Sequence, residues 1–392
     1  MDNFVVNIAF LLSDIAHGGA SKSAFLLIKS LDKSKYNIHV FVKNPPRDQK
    51  LLNEFKLNSQ SINLIDVPSI YSLGKYQQNT NPFKSALVYM LYRKKIQNFI
   101  FELKNNNIDL IHLNSTQFAY LAPVIKSELG IKVVCHVREL VANRFNTTFK
   151  FVSNCIENFS DAIICISPNE AAFLKNYIKV HIVANPFDFK SIKMTGKKNI
   201  SGQYIGMLGS FIKAKRADLF LEAIKILKIK HPEFPYKFAI LGAARKPLWK
   251  LIANIIVFWN FFPFQFQTLL DSSIIRDDII LLPLTDSIQD FFNSLLIYVR
   301  PDGHPWGRDI IEAMAYGVPV VANGTSDFFI KHGTNGFLAK PDDPDDLAEK
   351  IILLTTNSQL QKVFIYNASQ LVRKKCDLAQ YAKIIQEIYE TC

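Results

Sequence analysis

The chain has 392 residues, of which 49% are hydrophobic and 20% are charged; these values predict a globular protein of about two domains and exclude a disordered chain. Its formal net charge of +12 suits a phosphate-bearing substrate or an anionic membrane surface. We do not expect nucleic acid as a partner, because the sequence has no zinc-ligand spacing, RNA-binding signature or basic recognition helix.

The cysteines and the first residues bear on the compartment. There are five cysteines, an odd number with wide spacing and no Cys-x-x-Cys pair: Cys135, Cys155, Cys165, Cys376 and Cys392. This pattern predicts reduced thiols in a cytosolic protein. The opening residues MDNFVVNIAFLLSD place an aspartate where a signal peptide needs positive charge. We therefore expect a protein that is not secreted.

The first predicted elements are a strand, a helix and a strand. Phe4–Ser13 and Asn37–Val42 are apolar runs, and Ser21–Leu31 between them carries apolar residues at helical spacing. Gly18 and Gly19 stand at the turn that leads into the helix. By themselves they are weak grounds for a ligand site, because any tight turn could hold two glycines.

Three further buried strands are predicted in the first half of the chain, at Asp109–Leu113, Ile131–His136 and Ala162–Ser167. The second of them ends in a histidine, and two polar residues, Arg138 and Glu139, follow closely. A histidine in such a place is more often a hydrogen-bonded structural residue than a catalyst. On the residues alone, both roles stay open for His136.

Residues 189–202 contain two glycines and several lysines and are predicted to be an interdomain linker. Beyond it, apolar runs predict strands at Tyr204–Leu208, Phe238–Gly242 and Ile279–Pro283.

Residues 246–270, KPLWKLIANIIVFWNFFPFQFQTLL, are far more apolar and aromatic than their surroundings. The run is too short and too often broken by Asn and Pro to predict a membrane span. Two interpretations stand: a buried helical insert, or a segment that dips into the membrane interface. We favour the second, with Trp249, Trp259 and the phenylalanines as anchors, because the positive net charge also favours an anionic leaflet.

The most informative stretch begins with a buried strand at Leu295–Val299. A loop with two prolines and two glycines follows, then a short amphipathic helix at Asp309–Ala315 and a strand at Val318–Ala322. Gly317 comes after the helix, where a residue with positive φ is needed. In open α/β sheets, ligands bind beyond the carboxyl ends of the strands. The loop and the first helical turn are therefore the predicted site.

Single residues of this loop have more than one interpretation. Arg308 and Glu312 lie four residues apart and could form a surface ion pair or contact a ligand. Trp306 suits a core position as well as a ligand contact. Amides near Gly307 would face an anion at a helix N-terminus.

Taken together, the residues RPDGHPWGRDIIEAMAYGVPVVAN resemble the donor-site motif of the retaining GT-B glycosyltransferases called family 4. The resemblance extends over residues 203–352 and, less strongly, over 1–43 and 109–190. It implies an α/β protein with the GT-B fold, in which two Rossmann-like domains with parallel sheets face a central cleft. We expect an acceptor-side domain over 1–195, a nucleotide-sugar-binding domain over 203–372, and a C-terminal helix, 373–392, that packs back on the first domain.

The resemblance implies roles for residues of the second domain. Glu312 matches the glutamate that binds the nucleotide ribose, and Lys215 matches the lysine that binds the donor diphosphate. Three positions depart from the family, and one of them is Phe328, which stands in the donor neighbourhood where the family has a glutamate. His304 replaces a glutamate that contacts the donor sugar, and Ser210 replaces an arginine that contacts the diphosphate, for which Lys213 and Arg216 could compensate. The other donor-binding candidates are Trp306, Gly307, Arg308, Asp309 and Ile310.

In the first domain, the resemblance implies that His136 is catalytic and lies near the donor sugar. Gly18 and Gly19 match a family Gly-Gly near the donor phosphate and the acceptor. Arg138 and Glu139 are candidates for contacts with the acceptor or the cleft.

The implied reaction is metal-independent transfer of a sugar, with retention, from a nucleotide diphosphate sugar of the UDP or GDP type to a hydroxyl of a glycan. No other cofactor is expected. The apolar segment makes a lipid-linked acceptor plausible, as in surface polysaccharide or glycolipid synthesis, at the inner face of the cytoplasmic membrane. Two alternatives stay open. Ser210, His304 and Phe328 also suit a catalytically inactive GT-B scaffold that partners an active transferase, and a sugar-nucleotide epimerase is a weaker third.

Overall fold

The computed structural model describes residues 5–16, 18–43, 45–67, 82–139, 147–192, 204–209, 213–243, 262–283 and 287–392. The chain forms two compact units. Unit 1 comprises Met1–Phe187 and Cys376–Cys392, and unit 2 comprises Asp188–Lys375. Each is an α/β unit built on a parallel sheet, as the sequence predicts.

The sheet of unit 1 has seven strands in the order β3-β2-β1-β4-β5-β6-β7. The strands are β1 Val6–Leu12, β2 Tyr36–Val42, β3 Ser61–Leu64, β4 Leu110–Leu113, β5 Lys132–Val137, β6 Ala162–Cys165 and β7 Val180–Ile182. Alternate residues of β1 enter different cores, Ala9 and Leu11 on one face and Ile8 and Phe10 on the other. Burial of both faces explains why these strands are continuous apolar runs in the sequence.

Helices cover both faces of this sheet. They are α1 Gly19–Ser30, α2 Gln49–Asn58, α3 Pro82–Asn105, α4 Ala122–Leu129, α5 Thr147–Phe159 and α6 Pro168–Ala171, with a 3-10 helix at Thr116–Leu121. Ser167 caps α6 by accepting a hydrogen bond from the Asn169 amide at 3.1 Å.

Unit 2 is built on a six-stranded parallel sheet in the order β10-β9-β8-β11-β12-β13. Its strands are β8 Tyr204–Leu208, β9 Lys237–Leu241, β10 Ile279–Leu282, β11 Leu295–Arg300, β12 Val320–Asn323 and β13 Phe337–Ala339. Its helices are α7 Ala217–Lys230, α8 Phe262–Leu270, α9 Ile288–Asn293, α10 Arg308–Ala315, α11 Pro344–Thr355 and α12 Ser358–Cys376. Gly317, just beyond α10, has φ +70°, which confirms the predicted positive φ.

The last helix, α13 Leu378–Thr391, belongs to unit 1 although it follows unit 2 in the chain. Its apolar face, which includes Tyr381, Ile385 and Ile388, is buried in the same core cluster as Leu27 and Ile28 of α1. The Phe187 amide donates to the Cys376 carbonyl at 2.7 Å, which ties the two segments of unit 1 together. The chain thus leaves unit 1 at Phe187 and returns at Cys376.

The end of the apolar segment 246–270 differs from the favoured prediction. Phe266 and Leu270 of α8 are buried in the core of unit 2, so this end of the segment packs internally and does not anchor a membrane. Trp249 and Trp259 lie outside the described residues. In the parts of the chain that the structure describes, no helix is both long and apolar enough to cross a bilayer.

Candidate functional site

In unit 2, the strand order reverses between β8 and β11, and polar side chains gather where these two strands end. Lys215 follows β8, and its Nζ lies 3.7 Å from Oδ2 of Asp302, which follows β11. The lysine stem lies against Gly209, where an added Cβ would be 3.1 Å from Cβ of Lys215. Such a reversal point is where open α/β sheets bind ligands.

Behind Lys215 lies a buried chain of alternating charges. Arg300 ends β11, and its Nε donates to Oδ1 of Asp302 at 2.9 Å, while its Nη1 donates to Asp309. The Tyr298 hydroxyl donates to the other oxygen of Asp309 at 2.6 Å. All these side chains are buried, so each charge has an opposite partner in place of water. Burial and Arg300 lower the pKa of Lys215.

Gly307 precedes α10 and lies directly beneath the Arg300 guanidinium. A Cβ at this position would be 2.2 Å from Arg300 Nη1 and 2.5 Å from Asp309 Oδ1. The φ of Gly307 is −73°, so its conformation does not require glycine. Glycine is required instead because the buried Arg300–Asp309 ion pair approaches this position so closely.

Arg308 and Glu312 pair through Nε and Oε1 at 3.1 Å, but their side chains are only 10% and 8% exposed. The pair is therefore buried and is not a surface ion pair. Ile310 points into the core. Trp306 is also buried, with its ring edge-on to His304 at 5.3 Å between centroids, whereas the His304 side chain is 46% exposed.

A cavity of about 590 Å³ opens beside these residues, within unit 2. It is lined by Ala214, Arg216, Asp302, Gly303, His304, Asn323, Gly324, Thr325, Pro341 and Asp342. Arg216 has φ +48° and pairs with Asp218 and Asp342, so its charge is already balanced by carboxylates. Ser210 lies outside the described residues.

The corresponding reversal in unit 1 lies between β1 and β4. Gly18 and Gly19 begin α1 there, and a Cβ on Gly18 would meet nothing within 4 Å. Asn114, just after β4, donates to the Ala20 carbonyl at 3.5 Å. The space above Gly18 is thus open.

His136 lies on β5 next to His112 of β4, and both imidazoles are fully buried. Nε2 of His112 is 3.1 Å from Nδ1 of His136, and Nδ1 of His112 is 2.6 Å from the Tyr389 hydroxyl. Burial and Arg138 hold the pKa of both histidines well below the usual range, so both are neutral. His136 is hydrogen-bonded, as the structural interpretation holds, but its Nε2 has no partner among the described residues.

Arg138 and Glu139 point to different neighbours. Arg138 donates to Oδ1 of Asn114 at 3.0 Å and to Oδ1 of Asn185 at 2.6 Å. Glu139 accepts from the Ser115 hydroxyl at 2.7 Å and from the Thr116 amide at 3.1 Å. Its carboxylate therefore fixes the start of the 3-10 helix, a structural task.

Both units match known protein families. Residues 17–190 match the family described as Glycosyltransferase Family 4, and residues 188–371 match the family described as Glycosyl transferases group 1. The chain is a family 4 glycosyltransferase. The matches confirm the family that the motif at residues 300–323 resembles.

Similar proteins include other glycosyltransferases and a solved structure with the same fold. An uncharacterised glycosyltransferase of Methanocaldococcus jannaschii is 23% identical over 78% of this chain and 81% of its own length. A phosphatidyl-myo-inositol mannosyltransferase of Mycobacterium leprae is 31% identical over 24% of this chain and 26% of its own length. HepE of Anabaena, solved with UDP-glucose, has a TM-score of 0.76 at 15% identity, over 98% of this chain and 100% of that one. This last likeness shows a shared fold and confirms the GT-B prediction.

The sequence-based prediction gave no role to four side chains that organise these two polar clusters: Arg300, Asp302, His112 and Tyr389. Arg300 carries a usable signal, since a charged residue at the end of a buried apolar strand needs a partner. Tyr389 carries none, because its partner His112 is 277 residues away.

Proposed function

We propose that this glycosyltransferase moves a sugar, with retention, from a UDP- or GDP-type sugar nucleotide to a hydroxyl of a glycan acceptor. The observation that carries the proposal is the convergence of Lys215, the N-terminus of α10 and the Glu312 carboxylate in unit 2. HepE, which shares the fold, was solved with UDP and with UDP-glucose.

Each of these groups suits one part of the donor. The Lys215 ammonium and the amides at the start of α10 would stabilise the negative charge that grows on the departing diphosphate. Arg308 orients the Glu312 carboxylate, which would accept hydrogen bonds from the ribose hydroxyls. His304, exposed at the cavity, would contact the donor sugar in place of a glutamate. We propose no role for a metal ion in this reaction.

The test is calorimetric titration of UDP, GDP and their common sugar conjugates against the wild type and two Glu312 variants. Glu312→Gln keeps an acceptor for Arg308, whereas Glu312→Ala leaves that guanidinium buried without its carboxylate. We expect one nucleotide to bind at about micromolar Kd, and both variants to weaken it by about tenfold or more. Circular dichroism checks that each variant is folded. Absence of nucleotide binding by the folded wild type would contradict the proposal and favour the inactive scaffold.

We further propose a lipid-linked acceptor and a peripheral position at the inner face of the cytoplasmic membrane. The net charge of +12 and the apolar character of residues 246–261 support this, as does the partial likeness to a mannosyltransferase whose name specifies a phosphatidylinositol. Polar replacement of Trp249, Ile255 and Phe258 should reduce sedimentation with anionic vesicles. Leu57→Ser, which removes an exposed leucine elsewhere, is the control. Undiminished sedimentation of the triple variant would argue against the proposal.

A further inference from the structure

A buried chain of hydrogen bonds joins the last helix to His136. The Tyr389 hydroxyl on α13 bonds to Nδ1 of His112 at 2.6 Å, and Nε2 of His112 bonds to Nδ1 of His136 at 3.1 Å. Phe10 stacks on the His112 ring, with 4.9 Å between centroids, and so restricts its rotation. All of these residues belong to unit 1.

Arg138 determines the tautomer of His136. Its Nη2 lies 3.3 Å from Nδ1 of His136, and a guanidinium can only donate. Nδ1 of His136 is therefore an acceptor. Because the buried ring is neutral, its single proton is on Nε2.

The same reasoning orders the rest of the chain. Nε2 of His112 faces the lone pair on Nδ1 of His136, so it carries the proton and donates. His112 is also neutral, which leaves its Nδ1 to accept from the Tyr389 hydroxyl. Every proton in the chain thus points from Tyr389 towards His136.

The outcome is an Nε2–H on His136 that is buried and has no hydrogen-bond partner among the described residues. A buried donor of this kind is unfavourable until an acceptor reaches it. An oxygen of a bound ligand, either a hydroxyl or a phosphate oxygen, would be such an acceptor.

We infer that Tyr389 and His112, together with Arg138, are positioning residues that hold His136 in the Nε2-protonated tautomer, so that His136 donates a hydrogen bond to an oxygen of a bound substrate and does not act as a base. The choice of ligand rests on the proposed function. The tautomer does not, since it follows from contacts within unit 1 alone.

The first test is ¹⁵N NMR of the imidazole nitrogens in the ligand-free full-length protein, with His112→Gln and His136→Gln used to assign the signals. We expect Nε2 to be protonated on both histidines of the wild type. Tyr389→Phe should change the His112 tautomer population, because Nδ1 loses its donor. Tyr36→Phe removes another tyrosine hydroxyl from the same core, one bonded to Glu390 at 3.5 Å, and should leave both signals unchanged.

The second test is kinetic. Tyr389→Phe should lower kcat by about tenfold with little change in the KM of the donor, which is the pattern for an interaction made in the transition state. His112→Gln, whose amide can still donate to His136, should retain more activity than His112→Leu. A defect that was only structural would affect the two His112 variants alike and would not separate kcat from KM.

The two hypotheses fail separately. A His136 protonated on Nδ1 in the wild type, or the same tautomers in wild type and Tyr389→Phe, would overturn the inference even if the enzyme transfers sugar normally. A wild type that binds no nucleotide would overturn the proposed function and, with it, the ligand of His136, while the NMR result would still decide the tautomer.

Discussion

At the scale of single residues, buried ion pairs fix the conformation of the loop between β11 and α10. Arg300 connects two carboxylates, Asp302 beside Lys215 and Asp309 at the start of α10. Such a guanidinium fixes the loop relative to the helix only while both partners are present, because an unpaired buried charge is strongly destabilising. The position of Lys215 therefore depends on residues that need not touch the donor.

The Gly307→Ala variant tests this dependence. The added methyl would displace the Arg300 guanidinium, and we expect the free energy of unfolding to fall by about 3 kcal/mol or more, as for a broken buried pair. Urea unfolding of the full chain gives the measurement. Gly18→Ala is the control, since it adds a methyl in open space at φ −76°. Equal stability of the two variants would contradict the account of Gly307.

The buried histidines predict a loss of stability in mild acid. Burial lowers the pKa of His112, His136, His39 and His181 in the folded chain below the value of about 6.5 of an unfolded chain. Between the two pKa values the unfolded chain binds more protons, so stability is present above about pH 6.5 and falls as the pH drops below it.

A histidine whose folded pKa lies well below about 6.5, such as His112, contributes a slope of up to about 1.4 kcal/mol per pH unit within that window. Urea unfolding followed by circular dichroism between about pH 7 and pH 5 measures the total slope. His112→Gln should reduce it by about one histidine's share. A slope that is the same in the variant would show that His112 does not titrate on unfolding.

At the scale of elements, the last helix connects the fold to His136. Asp377 caps α13, and its Oδ1 accepts from the Gln380 amide at 3.0 Å. One helix thus covers a core of unit 1 and carries Tyr389. The stability of this helix therefore affects both the core and the position of the Tyr389 hydroxyl.

We expect Asp377→Ala to destabilise the protein by about 1 kcal/mol, which is the usual cost of losing an N-cap. Glu387→Ala on the same helix is the control. The Glu387 carboxylate is exposed, and its distance of 3.9 Å from Lys383 is long for an ion pair. Its removal should therefore change the free energy of unfolding by less than about 0.5 kcal/mol. The comparison uses urea midpoints, and similar values for the two variants would count against the cap.

At the scale of the whole molecule, the two units differ in how they are composed. The core of unit 2, from Ile205 to Phe364, contains only residues of one continuous segment. A core cluster of unit 1 needs Tyr381, Ile385, Ile388 and Tyr389 from the far end of the chain. Unit 2 is therefore continuous in sequence and unit 1 is not.

Fragments should behave accordingly. We expect residues 188–375 alone to unfold cooperatively and to bind the nucleotide within about tenfold of the full chain's Kd, because Lys215, Glu312 and the cavity are all in this unit. Residues 1–187 alone should be poorly soluble, since loss of α13 exposes a hydrophobic core. Circular dichroism, calorimetry and sedimentation check these outcomes. A folded, soluble 1–187 fragment would show that α13 is dispensable.

By itself the sequence determined the fold class and most strands, because a buried parallel strand is a continuous apolar run that can be recognised locally. The strand predicted at Tyr204–Leu208 has those bounds in the structure, and the C-terminal helix predicted within 373–392 spans Leu378–Thr391. The sequence-based prediction missed α2, β7 and β13, because these elements are exposed or very short and so leave a weak apolar signal. The loop motif at residues 300–323 was also sufficient to identify the family.

The tertiary structure alone decided which partners the polar residues find. Nothing local in the sequence shows that Gly307 lies beneath Arg300, that Arg308 and Glu312 pair out of solvent, or that Phe266 belongs to the core. Nor could it show that Tyr389 reaches His112 across 277 positions and so orders the protons up to His136. Apolar periodicity is a property of neighbouring residues, whereas a hydrogen-bond network is a property of the space into which distant strands and helices bring their side chains.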